Sequence, residues 1–157
     1  MSLKESLSEW VDDIAKRIPG FGGYYKKEER RENDQRLRGR ISSELNDIQD
    51  ILNERGRIIT KSGNLSTLDR IEQIRKRLEK LMDGIRYAEY GYSGFFDEKE
   101  ISMDTLRSVY KVDLELLHWV KDFISGTDID SELDDIDDYI VNGLKLLKKR
   151  SEIIQGV

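Results

Sequence analysis

The chain has no cysteine, which excludes a disulfide framework, a thiolate nucleophile, a zinc–thiolate site and an iron–sulfur cluster. Its one proline, Pro19, leaves the remaining residues free to form long helices. Its one histidine, His118, has no partner in an inward-facing Glu-x-x-His pair, so a di-iron bundle site is not expected. The chain contains no run of ~18 consecutive apolar residues and therefore no sequence for a membrane-spanning helix. Near the N-terminus, Glu5, Ser6, Ser8 and Glu9 interrupt what would have to be the apolar core of a signal peptide. A cytoplasmic location is the default expectation.

Apolar residues make up 37% of the 157 positions and charged residues 38%, against ~25% charged in ordinary globular chains. That balance suits long helices that each bury one stripe and solvate the rest. The net charge of −5 comes from interleaved acids and bases. A nucleic-acid binder would gather its Lys and Arg on one face, so no nucleic-acid partner is expected.

Apolar residues recur at helical spacing along the chain. Leu3, Leu7, Trp10, Val11, Ile14 and Ile18 form one face of a first helix, which Pro19-Gly20 ends. A second is predicted from about Tyr25 to about Thr60, with Leu37, Ile41, Leu45, Ile48, Leu52 and Ile59 near a heptad seam. Its Lys26–Arg36 stretch carries no apolar residue, so it is expected to be helical and largely exposed, held by weak charge pairs. Lys61-Ser62-Gly63-Asn64 is a turn by composition, and Ser66 with Asp69 fits a variant capping box for a third helix reaching about Tyr90. A fourth begins at Ser102 or Asp104 and closes at Gly126, and a fifth runs from about Ser131 to Ile154.

Two strings interrupt this pattern: Ile18-Pro19-Gly20-Phe21-Gly22-Gly23-Tyr24-Tyr25 and Tyr87-Ala88-Glu89-Tyr90-Gly91-Tyr92-Ser93-Gly94-Phe95-Phe96-Asp97. They hold eight of the aromatic residues, although the whole chain has only seven tyrosines, four phenylalanines and two tryptophans. Two roles are open to them. Phe21, Tyr92, Phe95 and Phe96 can plug the ends of a bundle while the glycines supply turns. Alternatively, Phe21, Tyr24, Tyr25, Tyr90, Tyr92, Phe95 and Phe96 form a binding patch, because aromatics are favoured at interfaces.

Other signals have plain explanations. The acids Asp128, Asp130, Glu132, Asp134, Asp135, Asp137 and Asp138 suggest calcium, but the sixth and twelfth positions from Asp128 are Leu133 and Tyr139 rather than glycine and glutamate. Carboxylates at a helix N-terminus, with Lys145, Lys148, Lys149 and Arg150 near the other end, match the helix dipole. No metal, cofactor or catalytic residue is assigned. Gly20-Phe21-Gly22-Gly23 follows a helix rather than the strand that precedes a phosphate-binding loop.

Ile18-Pro19-Gly20-x-x-Gly23-Tyr24, then Arg30-Arg31-Glu32-x-Asp34, then Tyr90-Gly91-Tyr92-Ser93-Gly94-Phe95-Phe96-Asp97 together resemble the pattern of a family of small all-helical prokaryotic proteins. The likeness spans roughly residues 18–125 and brings no activity, cofactor or substrate with it.

The expected fold is all-α: one domain over residues 1–157, comprising an antiparallel four-helix bundle (25–157) and an additional N-terminal amphipathic arm (1–18) that docks in cis or in trans. One buried ion pair is expected, because Asp113 and Arg55 are each the odd residue in an apolar seam and lone buried charges are costly. The competing arrangement has Arg55 reaching out past its seam and Asp113 bonding a tyrosine hydroxyl. The expected function is a non-enzymatic protein–protein interaction or scaffold module that can self-associate. The alternative is a membrane-surface or anionic-ligand binder using the first helix, Lys26, Lys27, Arg30 and Arg31.

Overall fold

The computed structural model describes residues 3–88, 93–97 and 100–156. Seven helical segments and no strand occur among the described residues: α1 Leu3–Arg17, α2 Lys27–Glu44, α3 Asn46–Ser62, α4 Leu65–Arg86, α5 Ser93–Asp97, α6 Met103–Ser125 and α7 Leu133–Gln155. No helix is long and apolar enough to cross a membrane.

The predicted second helix is two. The ladder changes at Leu45, where no proline or glycine stands. The Leu45 carbonyl is shared at 3.1 Å by the amides of both Ile48 and Gln49, a local tightening toward 3₁₀ geometry. The predicted capping box of α4 also shifts. Asn64 is the cap, accepting from the Thr67 amide at 3.2 Å, and Ser66 lies inside the helix. At α6 the cap is Ser102, which accepts from the Thr105 amide at 3.1 Å.

The apolar stripes meet in one core. α7 packs against α6 and α4, α3 against α4, and α2 against α4 and α6. The α6–α7 contact is close because residue 143 is glycine: a Cβ there would overlap the Trp119 ring. Trp119 in turn donates to the Tyr139 carbonyl at 2.8 Å. α1 lies on α6, with Leu7, Ile14 and Ile18 buried. Its last residue, Arg17, fixes it there by donating to the Leu117 carbonyl and to both oxygens of Glu44 at 3.0 Å. The arm therefore docks in cis.

Candidate functional site

Lys26–Arg36 is largely exposed, as expected, with eight of its eleven residues at the surface, but it is not a free overhang. Arg30, Asn33 and Asp34 are buried, and Arg38 one turn on is buried as well, while Glu28, Glu29, Glu32 and Arg36 stay exposed. The spacing of the buried four places them on one face of the helix. That face meets a polar partner surface instead of an apolar one.

The partners are charges from distant parts of the chain. Asp113 of α6 accepts from the Tyr24 hydroxyl at 2.6 Å and from Arg150 Nε of α7 at 2.7 Å. Arg150 Nη2 also donates to Asp34 at 2.8 Å and to the Tyr24 hydroxyl oxygen at 3.2 Å. Asp34 in turn holds Arg38 Nε at 2.8 Å. The Arg38 guanidinium then reaches the last carbonyls of α4, Ile85 and Arg86, at 3.1 and 2.6 Å, where a cation complements the helix dipole. Asp34 and Asp113 are fully buried and Arg150 is 1% exposed. Burial raises the Asp113 carboxyl above its usual range, and the charge of Arg150 and the hydrogen bond from Tyr24 bring it back only in part.

The same face of α2 holds the first aromatic string. Arg30 Nε donates to the Tyr24 carbonyl at 2.7 Å, and its Nη1 to the Phe95 carbonyl at 3.4 Å. Asn33 donates to the Gly23 carbonyl at 2.7 Å and accepts from the Gly22 amide at 3.2 Å. The Tyr24 amide donates to the Tyr110 hydroxyl at 2.8 Å. Gly23 turns here with φ +88°, and a Cβ would stand 2.5 Å from that hydroxyl oxygen. Only glycine meets both conditions.

Of the seven aromatic candidates, the structure buries Phe21, Tyr24, Phe95 and Phe96, each at 4% exposure or less. They form a cluster rather than a surface. Tyr24 stacks on Tyr110 with centroids 5.5 Å apart, and Phe21 and Phe95 meet it edge-on at 5.4 and 5.5 Å. Such pairs add about 0.5–1.5 kcal/mol each beyond burial. Tyr25 is turned outward, 62% exposed. It edges a cleft of about 220 Å³ whose walls are Leu7, Ser8 and Val11 of α1, Gly22, and Met103, Leu106 and Tyr110 of α6. Tyr90 and Tyr92 lie outside the described residues.

Asp113 and Arg55 do not meet. Asp113 is buried, but its cation is Arg150, while Arg55 is half-exposed and donates to the Ser131 carbonyl. The long side chain of Arg55 reaches out of the seam to a loop carbonyl, so it needs no buried anion. Sequence reasoning missed Arg150 because it ends the basic run Lys148-Lys149-Arg150, which matches a helix C-terminus without any partner. Its spacing from Ile136, Ile140, Gly143 and Ile154, all on the buried face of α7, was the available signal.

Of the residues named for a membrane-surface role, several are engaged within the molecule. The apolar stripe of α1 is spent on α6, and Arg30 is committed to backbone carbonyls. Lys26 and Lys27 remain exposed, while Arg31 lies 4.4 Å over the Phe96 ring and 3.8 Å from Asp97. His118 is on the surface, and no group of three or more acidic or histidine side chains suited to a metal occurs among the described residues. Comparison with protein-family models, with curated proteins and with solved structures finds no match to this chain.

Proposed function

We propose that this chain is a non-enzymatic protein–protein interaction module: an antiparallel four-helix bundle that presents the exposed end of its first aromatic string to a partner. The observation that carries the reading is the division of labour within that string. Phe21 and Tyr24 are core, whereas Tyr25 stands outside them beside an apolar cleft. An exposed tyrosine over apolar walls, on a backbone fixed by Asn33 and Arg30, is a preorganised contact of the kind that dominates interfaces. The packing of α2, α3, α4, α6 and α7 supports the bundle arrangement. The buried acids Asp34 and Asp113 support the non-enzymatic part, since each is engaged by arginine within the core and neither is open to solvent.

Affinity capture with wild-type and Tyr25→Ser baits tests it. The side chain is exposed, so the substitution leaves the fold intact, and partners retained by wild type should be lost from the variant. An identical set of captured proteins from both baits would end the proposal. Sedimentation of both proteins over a concentration series checks whether the partner is a second copy.

A further inference from the structure

Three of the five large apolar side chains that stay exposed among the described residues lie at one end of the molecule: Ile58, Leu65 and Ile129, at 46%, 73% and 39%. The close of α3, the start of α4, the α6–α7 connection and the start of α7 build that end. Arg55 of α3 bonds the Ser131 carbonyl, and Arg70 of α4 bonds Asp134 and Asp137 at 2.9 and 3.3 Å, which draws these segments together. Exposed apolar groups on segments that meet at one end can build a contact surface.

The charge around them selects the occupant. Between Asp128 and Asp138 the chain has seven carboxylates and no basic residue. The helix dipole accounts for Asp134 and Asp135, in the first turn of α7, but fades beyond that turn. Asp128, Asp130, Glu132 and Asp138 are exposed and have no ion-pair partner among the described residues. The neighbouring arginines are already used, Arg55 on Ser131, Arg57 on Glu54, Arg70 on Asp134 and Asp137, and Arg77 on Asp137, and the exposed lysine here, Lys61, is outnumbered by the acids. A second copy brought end to end would set these acids against each other, and an anionic bilayer would be repelled.

The geometry points to this end as a docking surface for a basic amphipathic segment of another protein. Its apolar stripe would seat on Ile58, Leu65 and Ile129, and its Lys or Arg residues would face Asp130, Glu132 and Asp138. This surface is separate from the Tyr25 cleft and goes beyond the function proposed above.

The test titrates a fluorescent Leu–Lys peptide, patterned as one amphipathic helix, into the full-length protein. A Leu–Glu peptide of the same pattern is the control. The Lys peptide should bind saturably and the Glu peptide should not. Ile58→Ser/Leu65→Ser/Ile129→Ser should weaken binding by about tenfold or more. Asp130→Asn/Glu132→Gln/Asp138→Asn should weaken it too and flatten its salt dependence, while Tyr25→Ser should bind as wild type does. Every substituted residue is exposed, and circular dichroism checks that each variant is folded. Equal affinity for wild type and the apolar triple variant would reduce the effect to attraction by net charge and overturn the proposal. Absence of binding would overturn it, as would self-association that the charge variant abolishes. None of these outcomes alters the Tyr25 capture result, so the two readings fail separately.

Discussion

Arg150 bonds carboxylates from two different helices, Asp34 and Asp113, so its loss deprives both of a cation at once. Arg150→Met is expected to cost about 3–5 kcal/mol, because it leaves buried charge undercompensated, and Asp113→Leu should cost a similar amount. The double variant should cost clearly less than the two losses combined, as partners that share an interaction are not additive. Arg55→Met with Asp113→Leu should instead be additive, since Arg55 bonds Ser131. Urea melts of the singles and doubles decide between these patterns. Tyr24 offers a second test at this scale. Burial, with the nearby Asp113 charge, holds its hydroxyl well above the ordinary tyrosine value, Arg150 opposing, and burial raises Tyr110 as well. Unfolded tyrosines therefore release their protons first. Stability is fully present below the ordinary tyrosine pKa and falls as pH rises past it, by about 1.4 kcal/mol per pH unit for each group. Tyr24→Phe should start less stable, having lost the bond to Asp113, and then decline less steeply with pH. An equally steep decline would show that Tyr24 contributes nothing to it.

At the scale of elements, α2 acts as a polar spine whose buried face holds backbone carbonyls. Arg30→Lys replaces a fork that spans the Tyr24 and Phe95 carbonyls with a single ammonium that cannot span both. Stability should fall by about 1–3 kcal/mol, and amide exchange should speed up around Tyr24 and α5 while α3 and α4 stay protected. Uniform acceleration across all helices would show that Arg30 does not act locally. Little of this spine was legible in the sequence. Hydrophobic periodicity locates α1, α4, α6 and α7 to within a few residues, because each buries an apolar stripe. The same signal is silent where a helix buries arginine, asparagine and aspartate, so Lys26–Arg36 was legible as largely exposed but its three buried members, Arg30, Asn33 and Asp34, were not. The break at Leu45 leaves no mark either, since no residue there forbids a continuous helix. Asp113 was legible as a charge inside an apolar arc. Its bond from a tyrosine hydroxyl was legible as the competing arrangement, but its cation was not, because Arg150 lies 37 residues away on another helix and looks locally like an ordinary basic C-terminus.

At the scale of the whole molecule, the buried network joins the first aromatic string, α2, α6 and α7 and reaches the end of α4 through Arg38. The apolar stripes alone leave helices free to slide by a turn, whereas directional bonds at fixed positions admit one register. The fold class was legible because it rests on the stripes, and the network was not because its members lie far apart in the chain. The order of its members along the chain has a temporal consequence. Tyr24 and Arg150 bond across 126 residues, and Asp34 and Arg150 across 116. During synthesis from the N-terminus, Tyr24, Asp34 and Asp113 are all made before the cation that joins them. Until α7 emerges, two carboxylates would have to enter the core without Arg150, so they favour staying hydrated. The segment that carries Arg150 thus closes the interior, and local helices form well before the molecule commits to its native arrangement.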